Sequence, residues 1–117
     1  MAEKHEIGKN GEAEALAYLK KHGYHIRHTN WHFQKEEIDI VAEKNNRLIF
    51  VEVKTRTGDG YGLPQDFVSR KQQKFLIRAA NAYIDTYDIA LEAQFDIIAI
   101  TLKPEFRLEH LSEAFYP

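Results

Sequence analysis

The sequence contains no cysteine, which removes disulfides, thiol catalysis and Cys-ligated zinc together and suits a reducing compartment. Any metal must be held by oxygen or imidazole. No apolar run approaches the roughly 20 residues that span a bilayer, and the opening "MAEKHEIGKNGE" is too polar for the hydrophobic part of a signal peptide. A cytoplasmic location is expected. With only three prolines and six glycines, the chain has no linker, repeat or low-complexity tract. Its 117 residues, 44% of them hydrophobic, suffice for the core of one soluble domain spanning 1–117.

A strong charge of one sign is also missing. The net charge of −2 would argue against a nucleic-acid partner if it were evenly spread, but it is not. Residues 15–35 carry Lys20, Lys21, Arg27 and Lys35 with no acid. Residues 54–78 carry Lys54, Arg56, Arg70, Lys71, Lys74 and Arg78 against Asp59 and Asp66. Each segment is net +4, whereas residues 79–117 hold seven acids against two cations, net −5. The basic segments either coat a solvated surface or meet around one site.

What is present reads in the order α-β-β-β-α-β-β. Residues 9–22 show helical spacing, with Gly11, Ala15, Tyr18 and Leu19 on one side, Glu12 beside that stripe and Gly23 placed to end the helix. "YHIRHTNWHF" (24–33) reads as a strand. "EIDIVA" (37–42) and "RLIFVEVKT" (47–55) form a hairpin around "EKNN". The glycine-rich "GDGYGLP" (58–64) is a loop with the composition of a mobile flap. A helix over 69–87 buries Phe75, Leu76, Ala79, Ala80, Tyr83 and Ile84, and Ser69 and Gln72 have the spacing of a capping box. "FDIIAITL" (95–102) and "RLEHL" (107–111) complete an α/β fold, a mixed central sheet flanked by helices.

Charges in the hairpin demand an explanation, because an ionised group buried without a partner or metal costs several kcal/mol. Alternation places Leu48, Phe50, Glu52 and Lys54 on one strand face and Ile49, Val51 and Val53 on the other. Glu52 and Lys54 therefore emerge side by side at the C-terminal end of a covered strand. Asp39, opposed by alternation to Ile38 and Ile40, comes near Glu52 across the hairpin. Two close carboxylates need a positive partner, and an oxygen-only pair suits Mg²⁺ or Mn²⁺. Lys54 has the chemistry to position an attacking water, assist its deprotonation or stabilise charge developing on a phosphate. Glu12 would be an outer contact. The alternative is a strand-end Glu52–Lys54 ion pair with Asp39 capping a turn.

"EID" followed, thirteen residues from its Asp, by "EVK" resembles the D…(D/E)-x-K motif of the restriction-endonuclease-like superfamily, with the spacing of Holliday-junction resolvases. "GKNGEAEALAYLKKHGY", "EIDIVA", "FVEVKTR", "SRKQQK" and "FDIIAI" resemble, in order and over nearly the whole chain, the bacterial YraN family of predicted endonucleases. That resemblance implies a restriction-endonuclease-like core, Asp39 and Glu52 as metal ligands, Lys54 as catalytic lysine and Glu12 as the helix carboxylate. The Val53 carbonyl would add a ligand, and Gln72 would lie near the scissile phosphate. The expected partner is DNA, branched or damaged by analogy, and a homodimer is expected by analogy with resolvases. A non-catalytic nucleic-acid or protein-binding module retaining the same fold is the alternative. The chain departs from the family pattern at His32, where an Arg is usual, and at Glu36, where a Gly is usual.

Arg56, Arg70, Lys71 and Lys74 follow the proposed site and open the second helix, a setting suited to gripping a phosphate backbone. Lys74 and Arg78 read equally well as a solvated helix face. Trp31 is a candidate for base stacking and Phe33 for core packing. Zinc is disfavoured: His22 lies at a helix end, and His25 falls on the strand face opposite His28 and His32.

Overall fold

The computed structural model describes residues 2–58, 66 and 68–117. The proposed flap over 58–64 lies, beyond Gly58, outside the described residues. The elements are α1 (Ala2–Lys21), β1 (His25–Phe33), β2 (Glu36–Lys44), β3 (Arg47–Arg56), α2 (Arg70–Tyr87), β4 (Glu92–Thr101) and β5 (Arg107–Phe115). This is the expected α/β order.

The five strands form one sheet in the order β1-β2-β3-β4-β5. Every neighbouring pair is antiparallel except β3 and β4, which run parallel with α2 as their connection. Asn45 and Asn46 both take left-handed backbone, φ 54° and 61°, between the paired Lys44 and Arg47. Two positive-φ residues are what a tight hairpin requires, and asparagine tolerates them best after glycine. Gly23, at φ 85°, turns the chain out of α1.

The sheet has a core on each face. On one side Leu48, Phe50, Phe95 and Ile97 pack against Phe75, Leu76, Ala79, Ala80 and Tyr83 of α2. On the other, Ile49, Val51, Ile98 and Ile100 pack against Ala15 and Leu19 of α1. The apolar alternation of β3 thus fills both cores at once, which makes it a central strand. Ile84, expected in the core, is half-buried at its edge.

Three local features depart from simple alternation. Arg27 is a bulge between the Ile26–Ala42 and His28–Val41 pairs, so that Arg27 and His28 both reach the Tyr83 hydroxyl, at 2.9 and 2.6 Å. A bulge places consecutive side chains on one face, and the expected opposition of His25 to His28 does not follow from parity alone. Next, Asn30 adopts φ 51° within β1. Finally, Ile38 joins the core under α2 whereas Ile40 joins the core under α1. The expected alternation, with both isoleucines opposite Asp39, is broken at Asp39 itself. The last β2–β3 ladder pair is Ile40–Val51, and beyond it β2 is free to rotate away from β3.

β5 extends to Phe115, four residues past the expected end, because Phe115 stacks on Phe95 with ring centroids 5.1 Å apart. Trp31 meets Tyr83 edge-on at 5.0 Å and donates its indole N–H to the Tyr87 hydroxyl at 3.1 Å. It is half-buried and engaged rather than presented for base stacking. Phe33 packs beside Phe75, as expected of a core residue.

Candidate functional site

The fork where β2 leaves β3 holds the charged residues of the hairpin. Asp39 Oδ2 accepts the Val53 backbone N–H at 2.8 Å, continuing across the fork with a side chain the contact that the ladder no longer supplies. Glu52, beyond the last ladder pair, is 4% exposed. The two carboxyls lie near enough for each to shift the other's protonation. Lys54 extends along the same strand face, its Nζ 3.8 Å from Glu52 Oε2 and about one-third exposed. One end of the lysine thus meets the carboxyl pair while the other face meets solvent.

The Gln72 amide donates to Glu52 Oε2 at 2.8 Å. Ser69 caps α2 as its spacing predicts, its hydroxyl accepting the Gln72 N–H at 3.1 Å. In a complete capping box the Gln72 side chain would turn back to the Ser69 backbone N–H. Here its amide is directed to the carboxyl pair.

From the opposite side of the sheet α1 brings Glu12. Gly11 lies so close to Thr55 that a Cβ there would collide with the threonine side chain, so a glycine is what lets α1 approach β3 at this point. Asn30 Nδ2 donates to Glu12 Oε1 at 2.8 Å. Asn30 falls between the Thr29–Ile40 and Trp31–Ile38 pairs, across from Asp39. Its left-handed backbone and its contact with Glu12 are signals that a linear reading of β1 passes over.

Burial, the Asp39 charge and the hydrogen bond with Asp39 push the Glu52 carboxyl up to about 9, against the pull of Lys54 and Gln72. Burial also raises Asp39, while the hydrogen bond from Glu52, the Val53 amide and Lys54 hold it down. At neutral pH the raised value keeps a proton on the Glu52 side of the pair. Burial raises Glu12 as well, opposed by the Asn30 bond and reinforced by the Asp39 and Glu37 charges. Glu37, for which the sequence suggests no role, thus belongs to the electrostatic surroundings of Asp39 and Glu12.

Among the described residues no group of three or more His, Asp or Glu side chains is arranged to hold a metal ion. The buried Glu52 and half-buried Asp39 carboxyls, each made harder to ionise by the other and by burial, nevertheless fit a divalent cation that would supply the missing positive charge. Mg²⁺ in particular is commonly held by one or two carboxylates, with water and phosphate filling the rest of its shell. The Val53 contact recorded at the site is made by its N–H.

The expected phosphate-binding cations divide. Lys71 and Lys74 line one groove with Arg78, between α2 and Glu36 at the start of β2. Arg70 is exposed in the first turn and does not line it, and Arg56 ends β3. Glu36 is a wall of this groove, and His32 is exposed and 3.8 Å from Glu37. Of the other histidines weighed for zinc, His22 Nδ1 meets the Tyr18 carbonyl at 2.7 Å and His28 meets Tyr83, and His25 is exposed.

A second polar cluster was not legible as such. Asp96 is fully buried, and its carboxylate meets His110 Nε2 at 2.7 Å, the Glu113 N–H at 3.0 Å and the Gln94 amide at 2.9 Å. His110 Nδ1 in turn meets the Tyr18 hydroxyl at 2.9 Å. The contacts join β4, β5 and α1. The only hint in the sequence is an acid among apolar residues in "FDIIAI", the same hint that marks Asp39.

Fold and site together define a mixed α/β protein whose paired carboxyls and adjoining lysine lie where two central strands part. The chain belongs to the UPF0102 family, described as an uncharacterised protein family, whose model matches residues 11–100. It is 49% identical over 117 residues to a UPF0102 protein of Flavobacterium psychrophilum, covering 99% of this chain and 98% of that one. It is 49% identical over 118 residues to a UPF0102 protein of Phocaeicola vulgatus and 47% identical over 118 residues to one of Bacteroides thetaiotaomicron, in each case covering 100% of this chain and 98% of the relative. These names carry no activity. No described helix is long and apolar enough to cross a membrane.

Proposed function

We propose that the chain is a metal-dependent nuclease hydrolysing phosphodiester bonds in nucleic acid, DNA in the first instance. The observation that carries this reading is the placement of the buried Glu52 carboxyl beside Lys54 Nζ at 3.8 Å and the Gln72 amide at 2.8 Å, with the Asp39 carboxyl held at the same fork by the Val53 N–H. A strand-end ion pair needs neither the second carboxyl nor the burial. Asp39 and Glu52 would hold Mg²⁺ or Mn²⁺, which when bound supplies positive charge against the phosphate and acidifies water.

The chain's own groups have distinct tasks in this reading. Lys54 places its ammonium next to Glu52 with one side open to solvent, where it orients an attacking water and offsets charge on a phosphate oxygen. Gln72 fixes the Glu52 carboxyl through Oε2. Asn30 holds Glu12 toward the same fork as an outer contact. Lys71 and Lys74 supply binding to the backbone that does not depend on base identity. The same resemblance that suggests the reaction places such sites in a restriction-endonuclease-like core.

The test of metal occupancy is a titration of the full chain with Mg²⁺ or Mn²⁺, followed by NMR. The expected result is saturable change confined to the amides around Asp39, Val53 and Lys54, lost in Glu52→Ala. Uniform weak changes, identical in wild type and variant, would sink the metal site and leave a non-catalytic binding module as the better reading.

A further inference from the structure

A groove runs along α2, lined by Lys71, Gln72, Lys74, Phe75 and Arg78 on one side and by Glu36 on the other. Lys71, Lys74 and Arg78 follow one another at helical positions i, i+3 and i+7 and so form a single row on one side of α2. All three are exposed and none forms an ion pair with a described residue. By contrast, Arg27 is paired with Glu43 and Arg47 with Glu113. Phe75 contributes to the floor between the walls.

Gln72 connects the groove to the proposed reaction centre, because it lines the groove and also bonds Glu52. A phosphate at the carboxyl pair would therefore have its neighbours in the chain directed along the row of cations. The opposite wall is acidic, provided by Glu36. Lys35, adjacent in sequence, does not line the groove. The groove has a volume of about 370 Å³.

We infer that this groove receives one unpaired nucleic-acid strand leading away from the cut, with Lys71, Lys74 and Arg78 on its phosphates and Glu36 turning away the second strand of a duplex. One row of cations faces one row of phosphates. The partner phosphates of a duplex would fall on the acidic wall, where like charges repel. The inference deepens the nuclease reading and rests on it for the place of the cut. The substrate class it names is a single strand, or a branched structure with a single-stranded arm. Glu36 becomes a specificity residue of the groove.

The test is equilibrium binding of a fluorescein-labelled oligothymidine to the full chain, in chelator so that no cleavage occurs, over a series of salt concentrations. A blunt duplex of equal length is measured in parallel. Wild type is expected to prefer the single strand. The Lys71→Gln/Lys74→Gln/Arg78→Gln variant is expected to lower the slope of log affinity against log salt by about 2, from three contacts at about 0.7 each. Glu36→Gln is expected to narrow the preference for single strand over duplex several-fold. All four positions are exposed, and circular dichroism checks that the variants fold. An unchanged slope in the triple variant, or tighter binding of duplex by wild type, would overturn the inference. Binding of the expected pattern by a protein that never cleaves would support the groove while defeating the nuclease reading.

Discussion

Gln72 donates its side-chain amide to Glu52 Oε2 at 2.8 Å while its backbone N–H is held by Ser69 Oγ. One residue thereby fixes the start of α2 and the orientation of a buried carboxyl. The two tasks separate by mutation. Gln72→Leu keeps the backbone cap and removes only the bond to Glu52. Its expected effect is a 10- to 100-fold loss of metal affinity or cleavage, with a melting temperature changed by a few degrees at most. Parallel loss of fold and metal response would show that Gln72 is structural alone.

Stability without divalent ions depends on pH in a direction set by Glu52. Its folded-state value of about 9 stands above the ordinary carboxyl value of 4.5, so the folded chain holds this proton more tightly than the unfolded chain. The resulting stabilisation is fully present below pH 4.5 and is lost as pH rises through about 9. In chelator, the melting temperature is expected to fall between neutral pH and pH 9, with a slope on the order of 1 kcal/mol per pH unit from this group. Glu52→Gln removes that slope. Thermal unfolding of both proteins across this range measures it, and equal slopes would contradict the raised Glu52 value.

Cation binding should displace the same proton. Near pH 7, calorimetric titration with Mn²⁺ in buffers of different ionisation enthalpy is expected to show release of about one proton per ion bound. Zero release would mean that the ion binds elsewhere or that the pair is already ionised.

Gly11→Ala tests how α1 reaches the site. The added methyl meets the Thr55 side chain, and overpacking of this kind costs about 1–3 kcal/mol. The helix moves off β3, and Glu12 and its Asn30 bond move with it. Chemical denaturation should show the loss of stability. Gly11→Ala combined with Thr55→Ala should recover most of that loss, because the hydroxyl is the atom nearest the added carbon.

The Asp96–His110 pair is expected to matter for folding alone. His110→Ala leaves a fully buried carboxylate without its closest side-chain partner, a change that costs about 3–5 kcal/mol in comparable buried pairs. The affinity for Mn²⁺ of the fraction that remains folded should be unchanged.

The sequence made the elements legible because each long element carries its own period: two-residue alternation in β3, helical spacing in α2, and glycine or asparagine where the backbone turns left-handed at Gly23, Asn45 and Asn46. Glu52 and Lys54 were legible for the same reason, as charges interrupting an apolar strand. What escaped depends on a partner elsewhere in the chain. The rotation of β2 at Asp39 follows from the ladder ending at Ile40–Val51, and the bulge at Arg27 follows from the Tyr83 hydroxyl that both neighbouring side chains seek. Asn30 and the Asp96–His110–Tyr18 chain are contacts between residues far apart in sequence. No local pattern encodes them.

The most direct measurement is cleavage of end-labelled DNA, single-stranded, branched and duplex, by the full chain in Mg²⁺ or Mn²⁺, beside Glu52→Ala and Lys54→Ala preparations purified identically. The predicted result is cleavage by wild type that requires the divalent ion, favours substrates with a single-stranded arm and falls at least 100-fold in both variants. Equal cleavage in all three preparations, or none from a wild-type protein shown to bind both the ion and the DNA, would contradict the assignment of Asp39, Glu52 and Lys54 as a nuclease site.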